Sequence, residues 1–123
     1  MGNPAEELRN GVVLAELGGH GNGPFCARHG AGAALVVMGT YIVDAGDAVP
    51  YPSDFVFKPG RANYAGYLQE HVAAARACGG KVAVSVISRE LPDSVDFLQA
   101  AAAAGADFVS LCAYSVMPMF TSS

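Results

Sequence analysis

Four apolar runs, each bounded by glycine or charge and separated by helical patterns, constrain this chain more than any other feature. Val12–Leu17 is a short apolar run between Gly11 and Gly18-Gly19, and Ala33–Val43 is a longer one rich in valine. Lys81–Ile87 alternates Val82, Val84 and Val86 with Ala83, Ser85 and Ile87, and Phe108–Cys112 follows Asp107. Strands covered on both faces read as such near-continuous runs. Between them, Asn22 is placed to cap a short helix over Phe25–His29, with Pro24 in its first turn and Gly30 at its end. Tyr64, Tyr67, Leu68, His71, Val72 and Ala75 fall at helical spacing. They predict a helix of about five turns, capped by Asn63 and closed by Gly79-Gly80. A further helix starts at Pro92, with Asp93, Ser94 and Asp96 suited to its positive end. Val95, Leu98 and Ala102 form its expected buried stripe, and Gly105 closes it.

The order is β-α-β-loop-α-β-α-β, which implies right-handed crossovers and a parallel sheet. The fold class is therefore α/β, built as parallel (β/α) units in one domain over 1–123. Two architectures satisfy the order: a doubly wound sheet, or part of a (β/α)₈ barrel, which in full takes about 250 residues. No fourth helix pattern follows Cys112, and a hydrophobic edge strand is a liability if exposed. The four-stranded N-terminal half of a TIM barrel is the expectation, with a self-contained small domain as the alternative. Residues 44–60, with Pro50, Pro52 and Pro59, form the least regular stretch, relieved by an extended piece at Phe55-Val56-Phe57. Loops of that length are often functional; a surface excursion explains it equally.

Composition narrows the partners. The net charge is −4, and Lys58, Arg61, Arg76, Lys81 and Arg89 are scattered along the chain, which reads as a solvated surface and not a nucleic-acid footprint. Cys26, Cys78 and Cys112 are widely spaced, with neither zinc spacing nor a disulfide framework, which fits a reducing cytoplasm. No apolar run reaches the ~18 residues of a membrane span. The Gly18–Gly23 segment bares backbone N–H groups but lacks the Lys and Ser/Thr of a phosphate loop, so it reads as a strand-to-helix turn with room for a planar ring. His20 sits where it could donate to a substrate, whereas His29 and His71 read as helix residues. Asp44 and Asp47 follow the second strand and either line its mouth or are solvated loop residues.

Three segments together resemble the tRNA-dihydrouridine synthases. Asn10–Phe25 is similar to the family's opening strand, which ends in Ala-Pro-Met before a Thr-Asp-x-x-Phe helix start. Gly32–Asp44, with Gly39-Thr40-Tyr41, resembles a short archaeal branch, and Ala104–Cys112 resembles the Gly-Ala-Asp strand. The resemblance implies an FMN-dependent oxidoreductase on a TIM barrel, related also to dihydroorotate dehydrogenases. Such an enzyme transfers hydride between flavin and an unsaturated, pyrimidine-like substrate, with tRNA a partner of the intact protein. It implies that Ala15, Glu16, Leu17, Gly39 and Ser85 line the flavin ring. Glu16-Leu17 stands where the family has Pro-Met, and Ser85 where it presents Gln. Cys112 and Ser115 stand at the end of the fourth strand, with Ser115 at the position of the family's acidic cysteine; both are the candidate catalytic residues. The flavin phosphate is held near strands seven and eight in that family, so weak FMN binding is expected of these four units alone. Two other classes satisfy the same residues: a non-catalytic half-barrel that closes its open edge on itself or a partner, and a flavin-free barrel lyase or aldolase.

Overall fold

A computed structural model of the chain describes residues 12–15, 20–46 and 55–111. Among them run β1 (Val13–Leu14), α1 (Gly23–His29), β2 (Leu35–Val43), β3 (Val56–Phe57), α2 (Ala65–Ala75), β4 (Lys81–Ser88), α3 (Leu91–Ala103) and β5 (Phe108–Leu111). The described residues thus form an α/β fold with five parallel strands and three α-helices. The sheet order is β1-β2-β4-β5, and β3 joins the C-terminal end of β2 on the edge that β1 occupies at its start. Setting aside the two-residue β3, which pairs with β2, strands that are neighbours in space follow one another along the chain. No helix among the described residues is long and apolar enough to cross a membrane.

The local signals act as their chemistry dictates at α1. The Asn22 side chain accepts from the Phe25 N–H at 2.9 Å, Pro24 occupies the first turn, and the Gly30 N–H closes on the Cys26 carbonyl at 2.8 Å. The Gly23 position explains the tight seat of this helix: a Cβ there would lie 2.3 Å from the His71 carbonyl oxygen of α2.

Three helix expectations need correction. Helix α2 covers 11 residues, not five turns, because Arg76–Cys78 tightens into a 3₁₀ turn before the left-handed Gly79. Asn63 does not cap it; its amide donates to the Lys58 and Pro59 carbonyls at 3.2 and 3.0 Å and closes the preceding loop. On α3 the buried face is Ser94, Phe97, Ala100 and Ala101, whereas Val95 is 45% exposed. Phe97 decides this rotation. Its ring meets Tyr64 at 4.8 Å and Tyr41 at 5.6 Å, and Val95 lies about 200° away around the helix.

The core lies between the sheet and the helices. Val36, Met38, Tyr41 and Val43 from β2 and Val82, Val84 and Val86 from β4 meet Leu68, Val72 and Phe97 from α2 and α3. Tyr41 is its aromatic centre, stacked on Phe55 at 4.9 Å and edge-on to Tyr67 at 5.5 Å. The Tyr41 and Tyr67 hydroxyls are 2.9 Å apart, so both polar tips are satisfied in an apolar surround. Across the helix faces, Asp96 of α3 accepts from Arg61 at 2.8 Å and from the Tyr64 hydroxyl, tying the start of α2 to α3. Arg76 likewise reaches Asp107 at 3.2 Å, and the same carboxylate accepts from the Val82 N–H at 3.0 Å.

Candidate functional site

Polar groups converge on one region of the sheet, midway along β2 and β4. The regular pairing of these strands breaks between Met38 and Tyr41, where Gly39 and Thr40 together stand opposite Ser85. That is a β-bulge, which re-aims side chains locally. The break keeps Tyr41 and Val43 on the helix side and leaves Thr40 on the opposite face with Ser85. Their hydroxyl oxygens are 3.2 Å apart. Ser85 is 1% exposed and its register partner on β5 is Ser110. Three hydroxyl residues thus follow one another across β2, β4 and β5, on the face away from the helices.

Glycine is required at 39 both by its backbone conformation and by the neighbouring strand β4. Its φ is +120°, and a Cβ would lie 2.5 Å from the Ser85 carbonyl oxygen and 3.1 Å from the Tyr41 nitrogen. The Gly39 N–H donates to the Gly21 carbonyl at 2.9 Å, so the glycine-rich turn after β1 is pinned to the bulge. A Cβ on Gly21 would in turn approach the Gly39 carbonyl at 3.2 Å.

Just beyond the strand ends lies a charged turn. Asp44 is 9% exposed; its Oδ2 accepts from the Gly46 N–H at 2.9 Å, and its backbone N–H continues the β2–β3 ladder to the Phe57 carbonyl at 3.0 Å. The Lys58 ammonium donates to the Ala45 and Gly46 carbonyls at 2.8 and 3.1 Å. Arg89 Nε lies 3.8 Å from Asp44 Oδ1. The two cations that seemed scattered in sequence are thus gathered on one turn by the strand ends. Arg61 and Arg76, by contrast, are taken up in ion pairs between elements.

Of the residues expected to line a flavin ring, Gly39 and Ser85 are brought together at the bulge. Ala15 is exposed, one residue beyond the Leu14–Val36 pair of β1 and β2. Glu16 and Leu17, and both candidate catalytic residues Cys112 and Ser115, lie outside the described residues, as does Asp47. His20 is exposed at the glycine-rich turn, and its carbonyl accepts from the Asn22 N–H at 2.9 Å. His71 has a structural contact: Nδ1 accepts from the Gly23 N–H at 3.0 Å and the ring stacks on Tyr67 at 3.8 Å. Cys26 and Cys78 are buried free thiols in the core. Burial, reinforced by the neighbouring Cys78, pushes the Cys26 thiol up to about 11, which makes it a poor nucleophile. Among the described residues no group of three or more His, Cys, Asp or Glu could hold a metal ion.

The sequence placed Thr40 only within the Gly39-Thr40-Tyr41 segment and showed Lys58 and Arg89 as scattered surface charge. The signal for the charged pair was present: Lys58 and Arg89 are each the first charged residue after an apolar extended run. What was missing was the register that sets those strand ends side by side. Compared with known proteins, the chain matches no family model, no curated protein and no solved structure.

Proposed function

We propose that this chain forms the ring-contacting part of a flavin-dependent (β/α) barrel of the dihydrouridine-synthase type. The observation that carries the reading is the bulge on β2. It gathers Gly21, Gly39, Thr40 and Ser85 in one patch, in a parallel sheet whose strands β1, β2, β4 and β5 lie side by side in chain order. Barrel sites form at the C-terminal ends of such strands, three residues beyond Thr40 and Ser85, and bulges concentrate beside active sites. The residues fit a planar heteroaromatic ligand in their chemistry. Ser85 and Thr40 can each donate or accept a hydrogen bond, and Ala15 adds no bulk at the end of β1. Bound flavin would supply the hydride chemistry, and the chain would supply placement and hydrogen bonds. The substrate in this reading is an unsaturated, pyrimidine-like ring. Cys112 and Ser115 are its candidate proton donors, and tRNA is a candidate carrier of that ring.

The test is the visible spectrum of the full gene product purified from its own cells. Flavin absorbance that follows the protein through gel filtration and is released by acid is expected. A colourless protein that also takes up no added FMN would overturn the reading.

A second reading has its own observation. On the edge strand β5, Val109 and Leu111 are 45% and 46% exposed, and on α3 Leu91 and Val95 are 59% and 45% exposed. Apolar surface at a sheet edge favours closure of the sheet on a second copy or a partner, in a protein without catalysis of its own. Light scattering separates the two: a discrete dimer at low micromolar concentration in a flavin-free protein supports association.

A further inference from the structure

Helix α3 carries a second apolar stripe besides its buried face. Leu91, Val95, Leu98 and Ala102 recur at intervals of four, three and four residues, so they share one side of the helix. That side lies about 120° around from the face of Ser94, Phe97, Ala100 and Ala101 that is turned into the core. Leu91, Val95 and Ala102 are exposed, and Leu98 is half-buried. The charged residues of α3, Asp93 and Asp96, stand about 130° or more from the stripe and do not interrupt it. Beside it runs β5, whose outer edge pairs with no strand among the described residues. Val109 and Leu111 stand in register with Val84 and Val86 of the core, so both point to the helix side of the sheet, where they are about half exposed.

We infer, on the basis of the association reading proposed above, that this face joins two copies of the chain about a two-fold axis. The β5 edges pair antiparallel and the two α3 stripes pack on each other, as an isologous contact requires. Three features fit a second copy. Adjacent strands lie about 4.8 Å apart, and α3 packs on both β4 and β5. A helix midway between those strands stands about 5 Å from an axis that relates β5 to its mate, so the two helices lie about 10 Å apart, the distance at which helices pack. The stripe is also complementary to itself when antiparallel: Leu91 of one copy meets the small Ala102 of the other, and Val95 meets Leu98. Finally, near a two-fold axis each charge meets its own copy, which penalises charged faces in a chain of net charge −4. This face has no charged residue between Leu91 and Ala102 on the stripe. A stable interface takes about 800 Å² from each partner. A stripe on a 13-residue helix and the edge of a four-residue strand make a small one, so dimer and monomer should exchange at micromolar concentration.

Sedimentation equilibrium of the full chain over a concentration series tests this. The wild type should pass from monomer to dimer and stop there. Val95→Glu sets two carboxylates near the axis and should weaken dimerisation about tenfold or more. Leu91→Glu, at the most exposed position of the stripe, should do the same. Both side chains are exposed in the single chain, and unchanged circular dichroism reports that each variant is folded. Val12→Glu, an exposed position beside β1 on the opposite edge of the sheet, should leave the dimer unchanged. Mixing Val95→Glu with Val95→Lys should restore association as a heterodimer, because a two-fold contact brings the same position of both copies together. A wild type that stays monomeric at every concentration would overturn the association reading and this inference together. A wild-type dimer that survives both glutamate variants of α3, or that Val12→Glu dissolves, would overturn this interface alone.

Discussion

Replacement of Gly39 by alanine tests the bulge on which the candidate site is built. Two costs add at this position. The φ of +120° is a conformation that L-residues avoid, at about 1–3 kcal/mol. The new Cβ would also meet the Ser85 carbonyl oxygen at 2.5 Å and the Tyr41 nitrogen at 3.1 Å. Both are backbone atoms of central strands, so relief requires separating β2 from β4, an overpacking cost of about 1–3 kcal/mol. The sum is about 4 kcal/mol. Gly32 supplies the control, since its φ is +84° but a Cβ there meets nothing within 4 Å. Gly32→Ala should therefore show only the conformational part, about 1 kcal/mol. Urea unfolding followed by circular dichroism reads the difference. With an m-value of about 1.5 kcal/mol/M, the midpoint of Gly39→Ala should fall by about 2–3 M and that of Gly32→Ala by under about 1 M. Equal midpoints for the two variants would refute the steric argument and with it the view that the β2–β4 contact dictates glycine.

The remaining predictions concern the scaffold and its ionisations. Phe97→Ala should destabilise by about 3–5 kcal/mol, whereas Val95→Ser should stay within about 0.5 kcal/mol as an exposed change; denaturant midpoints of the two variants establish which face of α3 is buried. His71→Phe keeps a ring over Tyr67 but leaves the Gly23 N–H without its acceptor, so a loss of about 1–3 kcal/mol is expected, and an unchanged midpoint would remove the Gly23–His71 bond from the account of α1 docking. At alkaline pH the folded chain holds protons that the unfolded chain releases. Burial raises Cys26 to about 11 and burial with the Asp96 contact raises Tyr64, so stability is complete below about pH 8.5 and falls as pH climbs through the raised values. Cys26→Ala should lessen the early part of that fall in a pH series of melting temperatures. At the acid end the sign reverses. Hydrogen bonds from Arg61 and Tyr64 hold the Asp96 carboxyl below the usual carboxylate range, so its contribution is present above about pH 4 and is lost on acidification. Asp96→Asn should flatten that limb of the same series.

The amino-acid sequence by itself determined the class of fold and most of its punctuation. The runs of β2 and β4 became strands buried on both faces, whereas Val13 of β1 and Val109 and Leu111 of β5 stay about half exposed; Asn22, Pro24 and Gly79 had to start and stop helices, because these signals act within a few residues of chain. The sequence also placed Gly39 and Ser85 near one another through a family resemblance, without the reason glycine is needed. Only the tertiary structure decided what depends on neighbours distant in the chain. The rotation of α3 followed Phe97 and not the Val95–Leu98–Ala102 stripe, because an aromatic cluster with Tyr41 and Tyr64 outweighs a run of small apolar residues that fits either face. The shift of register at Gly39-Thr40 set the Thr40 hydroxyl beside Ser85, and no local pattern announces a bulge. Parallel pairing of β3, β2 and β4 aligned Lys58, Asp44 and Arg89, successive neighbours that lie 14 and 45 positions apart in the chain. Charge in sequence says how much is present; strand register says where it accumulates.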